Sequence, residues 1–89
     1  MRKLILADGT EYTLDWWNGD KGVFFANIQT SESIGSLAVK LSNPELTSEM
    51  TVRNGDTEYR YEGYTELASI ARDGWNTGWI LVSLRMPAA

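Results

Sequence analysis

The side chains that could carry out catalysis in this sequence are carboxylates, serines, tyrosines and lysines, because histidine and cysteine are both absent. Their absence removes the commonest general base, the usual activator of a nucleophile and the thiolate and imidazole ligands of metals. The carboxylates form pairs that mostly flank predicted turns or lie on polar strand faces: Asp8 and Glu11, Asp15 and Asp20, Glu45 and Glu49, Asp56 and Glu58, Glu62 and Glu66. Solvation and turn formation explain these positions better than a glycosidase-like acid pair does. The sequence therefore predicts a non-catalytic protein without a cofactor or metal.

The glycine-containing turns do not indicate a phosphate or calcium site. No GxGxxG or GxxxxGK[ST] pattern occurs, so no phosphate-binding loop is predicted. Asn18-Gly19-Asp20 and Asn54-Gly55-Asp56 resemble fragments of a calcium loop. Both lack the series of oxygen ligands that ends in a bidentate glutamate, so turn formation is the better interpretation.

The aromatic residues are the unusual feature, with four tryptophans in 89 residues. Trp16 and Trp79 fall within predicted strands, which favours positions in the core. Trp17 lies on the polar side of its strand and Trp75 in a glycine-containing loop. For these two rings the sequence leaves two interpretations open, a core position or an exposed ring that forms an interaction hot spot. The predicted interaction surface joins these two rings to a third ring and two polar neighbours: Trp17, Trp75, Tyr64, Asn76 and Asp20.

The charge balance bears on the class of partner. Eight basic residues against twelve acidic ones give a net charge of −4, and the basic residues are scattered along the chain, which disfavours binding to a phosphate backbone. No apolar run approaches the roughly 20 residues that span a bilayer, so we expect a soluble protein that does not bind membranes. At 89 residues, one domain is predicted.

Two β-hairpins are indicated by the dipeptides Asp8-Gly9 and Asn54-Gly55, which supply the positive φ angles of tight turns. Their strands are predicted over residues 4–7 and 11–17, and over residues 49–53 and 57–61. Tyr12, Leu14 and Trp16 alternate with polar residues and should share the inner face. Asn18 to Gly22 are predicted to form the next turn.

A third strand is predicted over Val23–Gln29, with Phe24, Ala26 and Ile28 facing inward. The spacing of the apolar residues then changes from alternation to that of a helix. This predicts a short helix over about residues 33–42 with Ser31 or Ser33 as its cap. Pro44 should end this helix.

Residues 64–72 fit either a helix behind Thr65 or a strand, and we favour the strand because the segment leads into a hairpin-like loop and a last strand over Trp79–Met86. Gly63 suggests a bulge. The predicted fold class is α+β, with a mostly antiparallel sheet built from hairpins and one short helix packed on it.

The segments "LILADGTEYTL", "MTVRNGDTEYRYEGYTELASI" and "GWILVSLRM" resemble, in order and layout, small uncharacterised proteins of phages and prophages of Gram-positive gut bacteria, often encoded beside tail genes. The resemblance implies a tail, baseplate or assembly-accessory role, a cytoplasmic or virion-associated location, and a strand through Gly63-Tyr64-Thr65. It implies no catalytic residue.

The leading hypothesis is therefore a structural or accessory phage protein that acts through protein contacts, including self-association that protects its strand edges. One alternative is a carbohydrate-binding module in which Trp17, Trp75 and Tyr64 stack on sugar rings. Another is an acidic inhibitor of a host protein, in which carboxylates mimic a substrate or a nucleic-acid backbone.

Overall fold

The structure, a computed structural model, describes residues 2–20, 22–72 and 78–87. In chain order, the described elements are β1 (Arg2–Ile5), β2 (Glu11–Asp20), β3 (Val23–Gln29), α1 (Ile34–Leu41), α2 (Pro44–Thr47), β4 (Glu49–Asn54), β5 (Thr57–Glu62), β6 (Glu66–Arg72) and β7 (Trp79–Arg85). The strands form one sheet in the order β5-β4-β1-β2-β3-β7-β6, and each described pairing is antiparallel. The predicted α+β fold class is confirmed. Neither described helix is long and apolar enough to cross a membrane.

Both predicted hairpins are present. β1 pairs with β2 across the Asp8-Gly9 turn, where Asp8 Oδ1 accepts a hydrogen bond from Thr10 N at 2.9 Å. β4 pairs with β5 across Asn54-Gly55, and Gly55 has the left-handed φ of 62° that this turn requires. These hairpins need only local turn chemistry, which is why the sequence predicts them well.

A bulge at Asp15 divides β2 into two parts with different neighbours. Leu14 pairs with Ile28, but Trp16 pairs with Asn27, so Asp15 is one extra residue on β2. Before the bulge β2 pairs with both β1 and β3, and after it with β3 only. We call β5, β4, β1 and Glu11–Leu14 the β1 half of the sheet, and Trp16–Asp20, β3, β7 and β6 the β3 half.

The two ends of the sheet are brought together by a short link. β5 and β6 are at opposite ends of the strand order, but only Gly63, Tyr64 and Thr65 separate them in the chain. Six strand spacings of a flat sheet would span about 29 Å, whereas four extended residue steps reach only about 14 Å. The sheet must therefore roll up, with the inner faces of its two halves toward each other.

The link also corrects two expectations. Gly63 has φ +84° and lies after the end of β5, so it makes a turn between strands and not a bulge within one. Its N–H donates to Ser48 O at 3.0 Å, which ties the link to the start of β4. Residues 63–65 are not part of a strand, because they carry the chain from one end of the sheet to the other.

Residues 66–72 form β6, so the preference for a strand over a helix is confirmed. Pairing with β7 decides this conformation, and a second bulge lies between Leu67 and Ser69. The predicted turn from Asn18 to Gly22 is shorter than expected, since β2 continues to Asp20 through pairing with β3.

The core lies between the two halves of the rolled sheet, where α1 covers part of it. Phe24, Ala26 and Ile28 are buried as predicted, and α1 adds Leu37 and Leu41. Ser33 Oγ caps α1 by accepting from Ser36 N at 3.1 Å. α1 ends before Pro44, as expected, but Pro44 then begins the four-residue α2, an element that was not predicted.

Candidate functional site

Trp17 belongs to an aromatic cluster on the inner face of the sheet, where it lies close to two tyrosines of β5, the half-buried Tyr61 and the 43% exposed Tyr59. Its indole Nε1 donates a hydrogen bond to Tyr61 Oη at 2.9 Å, and its ring lies 5.6 Å from that of Tyr59 in a tilted arrangement. The bulge at Asp15 causes this placement, because it turns Trp17 to the inner face, opposite the face that simple alternation predicts. Trp17 is half-buried and packs against the core.

Tyr64 belongs to the same cluster and is buried, with 7% of its surface exposed. Its ring contacts those of Tyr61 at 5.9 Å and Phe24 at 6.2 Å, both edge to face. The expectation of an exposed stacking ring at Tyr64 is wrong, since the link after Gly63 directs this residue into the rolled sheet. Tyr61 therefore contacts both Trp17 and Tyr64, which are two of the predicted site residues.

Of the other predicted site residues, the structure describes Asp20. Asp20 is the last residue of β2 and pairs with Val23 on β3. Trp75 and Asn76 lie outside the described residues.

An exposed apolar surface with two aromatic rings lies on the outer face of the β3 half. Trp16, Phe25 and Leu81 come from three adjacent strands and are 44%, 45% and 37% exposed. The expected core position of Trp16 is wrong, because the bulge sends its side chain outward while Leu14 stays buried. Trp79 is half-buried and pairs with Gln29, one residue before the buried Ile80, so it also differs from a core position.

Strand register arranges this outer face in rows across β2, β3, β7 and β6. One row contains Trp16, Asn27, Leu81 and Ala71, and the next contains Asn18, Phe25, Ser83 and Ser69. Neither row includes a charged residue. Asn27 and Ser83 are buried although they are polar and lie on this outer face. We call these eight positions the apolar patch, since Trp16, Phe25 and Leu81 are its large exposed side chains.

The outer face of the β1 half has the opposite character. Ion pairs join neighbouring strands there, with Lys3 Nζ 3.0 Å from Glu11 Oε1 and Arg53 Nη2 2.9 Å from Glu58 Oε2. Arg60 forms a further pair with Glu49. All these side chains are well exposed, which is typical of a solvated sheet surface. The contrast between the two halves identifies the apolar patch as the candidate site.

A sequence signal for the patch exists in β3 and β7. Val23, Phe25, Trp79 and Leu81 lie on the outer faces of strands whose inner residues are also apolar, so apolar residues take about half of the positions that are usually polar on a wet face. Alternation in β3 places Phe25 outward, but the sequence does not predict the patch, because the register that joins the strands is not a local property.

A polar cluster around Glu32 fixes α1 to the sheet. Glu32 Oε2 accepts from Tyr12 Oη at 2.7 Å, and Glu32 Oε1 accepts from Ser36 Oγ at 3.2 Å and lies 2.7 Å from Lys40 Nζ. The hydrogen bond from Lys40, followed by that from Tyr12, lowers the pKa of Glu32. Burial, followed by the contact with Glu32, raises the pKa of the Tyr12 hydroxyl. Each polar group is satisfied by another, so the cluster serves as a structural anchor.

No group of three or more acidic residues among the described ones is arranged to hold a metal ion. Comparison with protein-family models, with curated proteins and with solved structures gives no match.

Proposed function

We propose that this protein is a non-catalytic structural or accessory component that acts through protein contacts made by the apolar patch. The observation that supports this most directly is the exposure of Trp16, Phe25 and Leu81 together on a face whose two central rows contain no charge. Protein interfaces have such an apolar centre, depleted of charged residues and enriched in aromatic ones.

The composition of the patch favours a protein over a sugar or nucleic acid. The sugar hypothesis relied on Trp17, Trp75 and Tyr64; Trp17 and Tyr64 pack inward, and Trp75 lies outside the described residues. Leu81 offers no ring for stacking on a sugar, and the patch offers no basic side chain to a phosphate. Arg85, in the next row, is paired with Glu66.

The tail, baseplate or assembly setting is part of the proposal and depends on the resemblance in sequence layout. An accessory protein in a bacterial cytoplasm or in a virion would require a binding surface and no catalytic centre. The ion-paired β1 half would then remain in solvent while the apolar patch contacts the assembly.

The test is binding of the purified protein to disassembled tail and baseplate proteins of a phage that carries this gene, with mass spectrometric identification. The double variant Trp16→Ser, Phe25→Ser should lose the captured component, while Val39→Ser should retain it. Val39 is the matched control because it is an apolar residue on α1 that is 74% exposed. Equal capture by the wild type, the double variant and Val39→Ser, or binding of glycans alone, would refute the proposal.

A further inference from the structure

We infer that the apolar patch is self-complementary and packs against the same patch of a second copy of this chain. This inference rests on the proposed function, since it names a partner for the proposed surface. The dimer would be two-fold symmetric, with its axis parallel to the strands and between β3 and β7. Two sheets packed face to face with nearly aligned strands are a common arrangement.

The sizes of the side chains in the first row support this symmetry. The axis reverses the order of the strands, so β2 of one copy faces β6 of the other. Trp16 then lies opposite Ala71, and Leu81 opposite the low, buried Asn27. Each large exposed side chain meets a small or recessed one.

The second row follows the same rule. Phe25 lies opposite the buried Ser83, and Asn18 lies opposite Ser69. Alternation of large and small residues across facing positions is the condition for two layers to interdigitate. With the axis perpendicular to the strands and between the two rows, Trp16 would lie opposite Asn18 and Ala71 opposite Ser69, so only the parallel axis pairs Trp16 with Ala71.

Charge and area are consistent with a weak dimer. Each copy carries a net charge of −4, and the two rows of the patch are a place where copies can meet without opposing carboxylates. Four strands and two rows, each row two residue steps deep, span about 19 by 14 Å, or roughly 270 Å². A standard interface takes about 800 Å² from each partner, so the patch has the size of an apolar centre that needs a polar rim.

The experiment is sedimentation equilibrium of the full chain from about 1 µM to about 1 mM, where we expect a reversible dimer. Ala71→Trp places a ring opposite Trp16 and should weaken association at least ~10-fold. Trp16→Ala combined with Ala71→Trp exchanges the large and small partners and should restore association. Higher salt should strengthen the dimer, because it screens repulsion between like-charged copies.

The control variant Val39→Ser should associate like the wild type. A wild type that stays monomeric over this range, an Ala71→Trp variant that associates normally, or a double variant as weak as Ala71→Trp would overturn the inference. A monomeric wild type whose capture of a tail component still depends on Trp16 and Phe25 would overturn the dimer and leave the proposed function standing. A dimer that captures no tail component would support the inferred dimer and overturn the proposed function.

Discussion

At the residue scale, the single extra residue Asp15 decides the roles of two adjacent tryptophans. Without a bulge, alternation places Trp16 beside Leu14 on the inner face and Trp17 outside. With the bulge, Trp17 Nε1 donates a hydrogen bond to Tyr61 Oη on the inner face, and Trp16 is exposed. The carbonyl of Asp15 accepts a hydrogen bond from the Arg2 guanidinium, which gives the bulged backbone a partner.

Replacement of each tryptophan by phenylalanine tests this assignment. Trp17→Phe removes the hydrogen bond to Tyr61 and part of the packing, so we expect a loss of about 1–2 kcal/mol in the free energy of unfolding. Trp16→Phe should change it by less than about 0.5 kcal/mol, because the ring is exposed. Urea denaturation of both variants measures the difference, and equal losses would contradict the assignment.

Gly19 is required because the Tyr61 ring lies where its side chain would be. A Cβ atom at this position would lie 2.1 Å from Tyr61 Cε1. Gly19→Ala must therefore displace the ring, at a cost of about 1–3 kcal/mol in the free energy of unfolding. Gly35→Ala is the control, since a Cβ atom there meets nothing within 4 Å. On α1 that change should stabilise by up to about 1 kcal/mol, and chemical denaturation that finds the two variants alike would contradict this account.

At the element scale, α1 is too short to be stable alone, so its position depends on the cap and on tertiary contacts. Ser33 caps its first turn, Leu37 and Leu41 pack in the core, and the polar cluster around Glu32 joins it to Tyr12 on β2. Since α1 packs against β6, it also helps to cover a strand at the end of the sheet.

Acid titration should reveal the contribution of Glu32. Because its pKa is lowered in the folded protein, its stabilising effect is complete above the ordinary glutamate pKa of 4.5 and is lost as the pH falls through the lower folded value. Glu32→Gln should therefore reduce the decline of unfolding free energy below about pH 4.5. The pKa values of Asp8 and Glu11 are also lowered, so part of the decline should remain. Thermal denaturation as a function of pH gives the two curves, and identical curves would show that the cluster has no effect.

At the scale of the whole molecule, the link from β5 to β6 determines the shape. It connects the two ends of the sheet with three residues, and Tyr64 within it packs against Phe24 and Tyr61 in the core. Rolling separates an inner face, where the core lies, from an outer face with ion pairs on its β1 half and the apolar patch on its β3 half.

Gly63 allows this link through its left-handed φ of 84°, and a Cβ atom there would meet nothing within 4 Å. The cost of substitution should therefore come from the backbone alone, unlike the steric cost at Gly19. Gly63→Ala should lower the free energy of unfolding by about 1–2 kcal/mol, and Gly63→Asn by less, because asparagine tolerates this conformation better. Urea denaturation tests the order, and an equal loss for both variants would contradict the backbone explanation.

The sequence by itself determined the features that depend on near neighbours. The turns at Asp8-Gly9 and Asn54-Gly55, the Ser33 cap, the end of α1 before Pro44 and the alternation in β3 follow from local dihedral preferences and from side-chain periodicity. The α+β fold class follows from these elements.

Only the tertiary structure decided the faces of Trp16 and Trp17, the strand at residues 66–72, the burial of Tyr64 and the cluster around Glu32. Each depends on contacts between residues far apart in the chain, and a one-residue bulge is enough to reverse a face. The apolar patch is decided in the same way, because strand pairing places Trp16, Phe25 and Leu81 side by side.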